Sequence, residues 1–290
     1  LIDILQLLAN GVPAGTVYAL IALGIVLIHN GTHVVHFGYG DQVTLSAYLV
    51  VIGQVVFGLP LWPALLLSLA LSGLLGLVIY LGILSPIRRT PLLVQIIATL
   101  AIGAGMREGL RAFMGPDPWP FPSFIASRVF DLGGVFVTSA NLAVVVVSIG
   151  ITAALFAFFR LSKYGQAILA ASDNAVGASL VGISVGRVYA GIWLVASLLA
   201  AIAAFLLAPV VSLQPDMGLV AVKGFCAAVL GGFRSLPGAV LGGVLLGLIE
   251  TAAGFYISTA AKDVIAFAVL IAVVIFMPQG LLGRARTKKV

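Results

Sequence analysis

A chain of 290 residues with 62% apolar and only 8% charged residues, and a mean hydropathy of +1.23, excludes a water-soluble fold, where about a quarter of residues carry charge. Its apolar runs are continuous and lack the period-two alternation of a barrel, so the fold class is all-α, a polytopic transmembrane helical bundle. The net charge of +6 calls for no nucleic-acid partner, because a bias of Lys and Arg toward one face of a membrane accounts for it.

At about 20 residues per span, the length holds about eight to ten crossings, some of them short or broken. The 34 glycines suit helices packed closely through small residues. The lone Cys226 lies in an apolar run, so there is no disulfide frame within the chain. No cleavable signal sequence is recognisable, and the opening on Leu1 in place of Met implies that a few residues precede it.

In chain order, Leu1 to Asn10 is an apolar lead-in and the first span runs from about Gly11 to Ile28, with Pro13 and Gly15 near its start, where a helix tolerates them. HNGTHVVHFGYGDQ follows, from His29 to Gln42, with three glycines (Gly31, Gly38 and Gly40) and no Lys or Arg. This composition predicts a broken helix that stays near membrane depth and exposes backbone groups to a polar substrate. His29, His33 and His36 are spaced at i, i+4 and i+7. On a continuous helix they would align, but Gly31 argues against that helix, so they read as lining of a path and no metal site is assigned.

A helix resumes from Asp41 to about Phe57, Pro60 to Pro63 turns the chain, and the next span ends near Leu84. SPIRRTP, with Arg88 and Arg89 between prolines, is a cytoplasmic turn. A span from Leu92 to Phe113 bears Arg107, Glu108 and Arg111 toward its outer end, where Glu108 and Arg111 pair three residues apart as an interfacial cluster. Gly115 to Thr138 is a Pro- and aromatic-rich outer connection, and Asn141 to Phe159 returns to the cytoplasm.

Arg160 to Arg187 is neither apolar enough to span nor polar enough to be disordered. Small and apolar residues recur in it at helical spacing, and Asp173 or Asn174 could cap a second short helix. It reads either as two short helices offering a small-residue knob to a soluble partner, or as an amphipathic connector. Val188 to Leu207 goes out again. PVVSLQPDMG is a proline-broken polar segment, Leu219 to Gly231 a short span, and Arg234 marks a turn. Ala239 to Ile257 contains Glu250, which reads as a packing residue or as pathway lining. Lys223 reads as interfacial or as part of an outer gate. Val264 to Phe276 is the last span, before a basic tail over 278–290.

Arg88, Arg89, Arg160, Lys163, Arg187, Arg234 and the tail fall on one side, against Arg128 and Lys262 on the other. Nine crossings then place the N-terminus outside and the C-terminus in the cytoplasm. The breaks at HFGYGD (36–41) and QPDMG (214–218) each lie between a long span and a glycine-containing one, a weak internal repeat of the kind that points to a transporter's binding site. The path candidates are therefore His36, Phe37, Tyr39, Gly40, Asp41, Gln214 and Asp216. There is no G-x-x-x-x-G-K-[ST] phosphate cradle, so no ATP chemistry and no cofactor is assigned to this chain.

Four stretches, with the closing MPQGLLGR, resemble the permease subunits of branched-chain amino-acid ABC importers (the LivH type) and, more distantly, ribose-type sugar permeases. They are NGVPAGTVYALIALGIVLI, VVHFGYGDQVTLSAYL, KYGQAILAASDNAVGASLVGISVGRV and AAVLGGFRSLPGAVLGGVLLGLIE. The resemblance implies one transmembrane permease domain over 1–290 in a bacterial inner membrane. Its segment 160–187 would dock on a cytoplasmic ATPase through Tyr164, Gly165, Ala171, Ser172, Asp173, Asn174, Ala178, Gly182 and Ile183. It also implies a second permease subunit, two ATPases that hold ATP and Mg, and an external substrate-binding protein. Where the family has Asn-Phe-Ala-His-Gly, this chain has His36-Phe37-Gly38-Tyr39-Gly40, and an apolar residue near Ile168 or Leu169 replaces the usual arginine of the docking segment. The implied cargo is a branched-chain or other hydrophobic amino acid, with urea, short amides and aromatic carboxylates as alternatives. An ion-coupled secondary carrier is the reading from another class.

Overall fold

The computed structural model describes residues 2–122, 125–126, 128–259, 261–277 and 279–283. The basic part of the tail, with Arg284, Arg286, Lys288 and Lys289, lies outside the described residues. The elements in order are α1 (Ile2–Thr32), α2 (Tyr39–Val55), α3 (Leu61–Val78), a π-helical stretch (Ile79–Leu84), α4 (Ser85–Ile87) and α5 (Leu92–Met114). After a hairpin of β1 (Val129–Asp131) and β2 (Phe136–Thr138) come α6 (Ser139–Leu161), α7 (Lys163–Asp173), α8 (Ala175–Leu180) and α9 (Val185–Val211). A 3-10 turn (Pro215–Leu219), α10 (Val220–Gly231), α11 (Leu236–Tyr256) and α12 (Ala261–Phe276) follow.

Six helices among the described residues are long and apolar enough to cross a membrane: Ile2–Thr32, Leu61–Ile87, Leu92–Met114, Ser139–Leu161, Val185–Val210 and Leu236–Tyr256. The other three segments read as spans are shorter, with 17 residues in α2, 12 in α10 and 16 in α12. This is a multi-pass helical membrane protein, and its short helices lie where polar or proline-rich sequence interrupts the apolar runs. The apolar lead-in is not separate, because Leu1 to Asn10 is followed into α1 without a break from Ile2 onward. The hairpin was not expected from sequence. It pairs Val129 with Thr138 and Asp131 with Phe136 in the connection from α5 to α6.

The chain divides into two compact units. One comprises Leu1–Val26, Ile125–Ile149 and Val222–Val290. In it the hairpin is tied to α1 by Gln6, whose Nε2 donates to the Phe136 carbonyl at 3.0 Å and whose Oε1 accepts from the Phe136 N–H at 2.8 Å. Ser235 caps α11 by accepting from the Gly238 N–H at 3.0 Å, with a proline in the first turn. The closing MPQGLLG segment returns to the end of α10, where the N–H groups of Leu281 and Leu282 donate to the carbonyls of Leu230 and Gly231 at 2.9 and 3.0 Å.

The other unit comprises Leu27–Phe124 and Gly150–Ala221. Its core is a three-helix packing of α2, α3 and α9, centred on the fully buried Trp193, Tyr39, Tyr48, Ile79, Ile192 and Leu206. Hydroxyls stitch α2 to α3. Ser46 and Ser72 bond at 2.8 Å and Ser68 donates to the Ser46 carbonyl at 2.6 Å. Small polar residues of this kind let helices approach closely in lipid, where apolar burial alone gives no preference for helix over tail.

Candidate functional site

In the second unit α1 stops at Thr32 because His33 takes φ +58°, a left-handed conformation that ends the hydrogen-bond ladder. Residues 33–38 then run along α5 before α2 begins at Tyr39. The Phe37 N–H donates to Thr99 Oγ1 at 3.4 Å, and the Thr99 hydroxyl donates to the Ile96 carbonyl at 2.9 Å. Higher on α5, Gly38 meets Gly103. A Cβ on Gly38 would lie 2.6 Å from the Thr99 carbonyl oxygen, and one on Gly103 would lie 2.5 Å from Asp41 Oδ2. Only paired glycines allow this backbone approach. Gly103 is the twelfth of the 23 residues of α5, so the break sits half-way along a full span.

The second polar break joins the first. The 3-10 turn packs on α2 and α5. A Cβ on Gly218 would stand 2.9 Å from the Gly40 carbonyl carbon and 3.0 Å from the Asp41 nitrogen. Beside this contact five charged side chains form a ladder. Arg107 Nη1 lies 3.6 Å from Asp41 Oδ1 and its Nε lies 3.6 Å from Glu108 Oε1. Arg111 donates to Glu108 Oε1 at 2.9 Å and to both Asp216 oxygens at 2.7 Å. The ladder holds three carboxylates against two guanidiniums, a net formal charge of −1. Asp41 is its most buried member, with 13% side-chain exposure, and Glu108 its most exposed, with 57%.

Of the residues singled out in the sequence, Asp41, Gly40 and Asp216 are thus brought together. His36 and Tyr39 are buried just behind them. The His36 ring packs 4.9 Å from that of Trp193, and Tyr39 donates to the Ala196 carbonyl at 2.7 Å. Phe37 and Gln214 are exposed and do not join the cluster. The three histidines do not line one helix face, since His33 lies past the end of α1, and no group of His, Cys, Asp and Glu gathers for a metal among the described residues. Sequence reasoning treated Arg107 and Arg111 as interfacial. The Glu108–Arg111 pair is present, but both arginines also reach the two breaks, through partners 66 and 105 positions away. The i, i+3 spacing was the one local signal.

Glu250 has partners in the first unit that lie 27 and 232 positions away. Its carboxylate accepts from Lys223 Nζ at 2.7 Å and from the Tyr18 hydroxyl at 2.7 Å, and Lys223 also reaches Asp263 at 2.8 Å. Lys223 therefore belongs to a buried polar cluster, where its ammonium replaces the water that a lone Glu250 would lack.

The segment 160–187 forms two short helices. Asn174, not Asp173, caps the second, its Oδ1 accepting from the Gly177 N–H at 2.8 Å. Gly182, at φ +85°, closes α8 in a Schellman turn, with the Ile183 N–H bonded to the Ala178 carbonyl at 3.0 Å. The small residues of this segment divide between the two faces, with Ala170, Ser179 and Gly182 exposed. Gly165, Ala171 and Ala178 are buried against the chain itself, Ser172 is half-buried with its hydroxyl on the Ile168 carbonyl, and Ile183 is half-buried. Also facing outward are Tyr164, Asp173, Asn174, Val176, Leu180 and Val181.

Residues 7–274 match the model of the family described as branched-chain amino acid transport system / permease component. The chain belongs to that family. The permease is 30% identical over 308 residues to the high-affinity branched-chain amino acid transport system permease protein LivH of Salmonella typhimurium, covering 99% of this chain and 97% of that one. It is 30% identical over 300 residues to BraD of Pseudomonas aeruginosa, with 99% and 98% covered. It is 26% identical over 295 residues to a probable LivH of Methanocaldococcus jannaschii, with 96% and 92% covered. No solved structure matches the permease. The permease is a transport component of an ABC system and not an enzyme.

Proposed function

We propose that the permease forms the membrane path of an ABC importer for branched-chain or other hydrophobic amino acids, and that the path runs past the joined breaks at 36–41 and 214–218. The observation that supports this most is the meeting of Asp41 and Asp216 on one arginine-bearing face of α5, which begins beside the mid-span break and runs to the last turn of the helix. Charges within a span are expensive and are kept where something polar passes. A net negative ladder attracts the ammonium of an amino acid, and its guanidiniums offer the carboxylate a transient partner. The relatives' printed names support the cargo.

In this reading the ATPases supply the energy and the permease supplies path and coupling. The partners are a second permease subunit, two cytoplasmic ABC ATPases and an external binding protein, in a bacterial inner membrane with the permease C-terminus in the cytoplasm. The docking face is the outward set on α7 and α8, with Val176, Leu180 and Val181 as its apolar centre. ATP and Mg are held by the ATPases. Pull-down from native membrane tests the assembly, and uptake of radiolabelled leucine tests the cargo. Two ATPases and a second permease are the expected companions. Isolation of the permease alone, with leucine flux driven by an ion gradient, would replace the importer by a secondary carrier. Uptake of urea, amides or aromatic carboxylates without leucine would change the substrate class.

A further inference from the structure

The second unit contains a cavity of about 40 Å³, lined by Thr32, Tyr80, Arg88, Gln95, Tyr189 and Trp193 among others. It lies apart from the charge ladder, at the Arg88 end of α5. Three aromatic rings wall it. Tyr80 stacks over Trp193 with ring centroids 6.3 Å apart, and Tyr189 meets Tyr80 edge-on at 6.3 Å. Trp193 and Tyr80 are 0% and 3% exposed, yet the indole Nε1–H and the Tyr80 hydroxyl have no hydrogen-bond partner among the described residues. A buried donor without a partner costs about 1–3 kcal/mol, and two on one cavity wall point to a polar occupant. The cation at the mouth is also free, since no carboxylate pairs with Arg88 among the described residues.

The backbone supplies an independent observation. Tyr80 sits in the six-residue π-helical stretch Ile79–Leu84. Such stretches are rare, weaken the helix that holds them and recur at functional sites. Here the wider turn accompanies the placement of Tyr80 against Trp193.

We propose that this cavity is a second subsite of the path, holding the α-carboxylate of the amino acid near its cytoplasmic exit. The inference rests on the transport reading above. Trp193 Nε1–H, the Tyr80 hydroxyl and the Arg88 guanidinium are the donors, and the faces of Tyr80, Tyr189 and Trp193 receive the ammonium by cation–π attraction. A volume of about 40 Å³ suits a carboxylate or a few waters, at roughly 10–15 Å³ each. It does not suit a whole leucine, so taking one in requires the cavity to widen.

Two experiments test it. In cells expressing the complete transporter, Tyr80→Phe removes only the hydroxyl donor, and Trp193→Phe removes the indole N–H together with ring volume at a fully buried position, so the amount of folded permease is measured beside each. Each is expected to lower leucine uptake about tenfold, the loss of one hydrogen bond to a charged group, while ATPase stimulation by the loaded binding protein persists in membranes. Unchanged uptake, or uptake and ATPase stimulation falling together, overturns the subsite. In the full chain bearing Trp62→Phe and Trp119→Phe, the emission of Trp193 is expected to shift with leucine and not with 3-methylbutylamine, which lacks the carboxylate. No shift with leucine, or an equal shift with the amine, overturns it as well. If the unaltered transporter takes up no leucine, isoleucine or valine, the transport reading itself falls and takes the subsite with it. If it transports them while both variants match it, the subsite alone falls.

Discussion

Asp41 is the innermost carboxylate of the ladder, and its loss would leave Arg107 with Glu108 alone, 3.6 Å away on the exposed side. Asp41→Asn keeps the shape and removes the charge. Leucine uptake is expected to fall about tenfold, equivalent to about 1.4 kcal/mol, with normal insertion on a membrane blot. The exchange Asp41→Arg with Arg107→Asp should recover part of it, and failure of the exchange would show that position matters beyond pairing. Lys223 and Glu250 behave differently, because their pair is buried and structural. Lys223→Met strands the Glu250 carboxylate with only the Tyr18 hydroxyl, and breaking a buried pair costs about 3–5 kcal/mol. Thermal unfolding in detergent should register that loss, and adding Glu250→Leu should restore much of it, since a well-packed apolar pair replaces a buried ion pair at little cost.

Helices α7 and α8 show how an element can be legible while its orientation is not. Spacing in the sequence identified two short helices and a cap at 173–174, but helical periodicity only says which residues share a face. Which face turns inward depends on what α7 and α8 pack against: both contact α9, and Gly165 sits against Phe158 and Phe159 of α6. Two kinds of substitution should therefore part company. Val176→Glu and Leu180→Glu, on the exposed face, are expected to abolish ATPase association in pull-downs while the permease inserts normally. Ala171→Leu and Ala178→Leu overfill buried positions, typically at about 1–3 kcal/mol, and should lower the amount of folded permease. Loss of the Asn174 cap in Asn174→Ala costs about 1 kcal/mol and should leave association measurable.

Across the molecule, hydropathy placed the six long spans, while three segments read as crossings, α2, α10 and α12, are shorter helices. The run read as Leu92 to Phe113 is α5 at Leu92–Met114, and the helix read from Asp41 is α2 from Tyr39. The hairpin was hidden because its strands are three residues each and mostly exposed, so they show no alternation to detect. The site was half legible. The glycines and Asp41 marked one break and Pro215 and Asp216 the other, but nothing local says that they touch or that α5 supplies the arginines between them. The orientation proposed from the Lys and Arg bias is open to direct check. In a Cys226→Ser background, Tyr164→Cys should react with an impermeant thiol reagent only from the cytoplasmic side, and Leu132→Cys, at the hairpin, only from outside.

The polar bonds of α2 also bear on how the chain is made. Ser72, which bonds Ser46, lies 26 positions on, but Ser197, which accepts from Gln42 Nε2 at 2.7 Å, lies 155 positions on. At about 5–20 residues per second, the ribosome delivers the serine of α3 within a few seconds and that of α9 on the order of ten seconds later. During that interval α2 is held to α3 by the Ser46–Ser72 and Ser68–Ser46 bonds, while the Gln42 amide still lacks the serine that accepts from it. Burial of Gln42 with its partner therefore waits for α9.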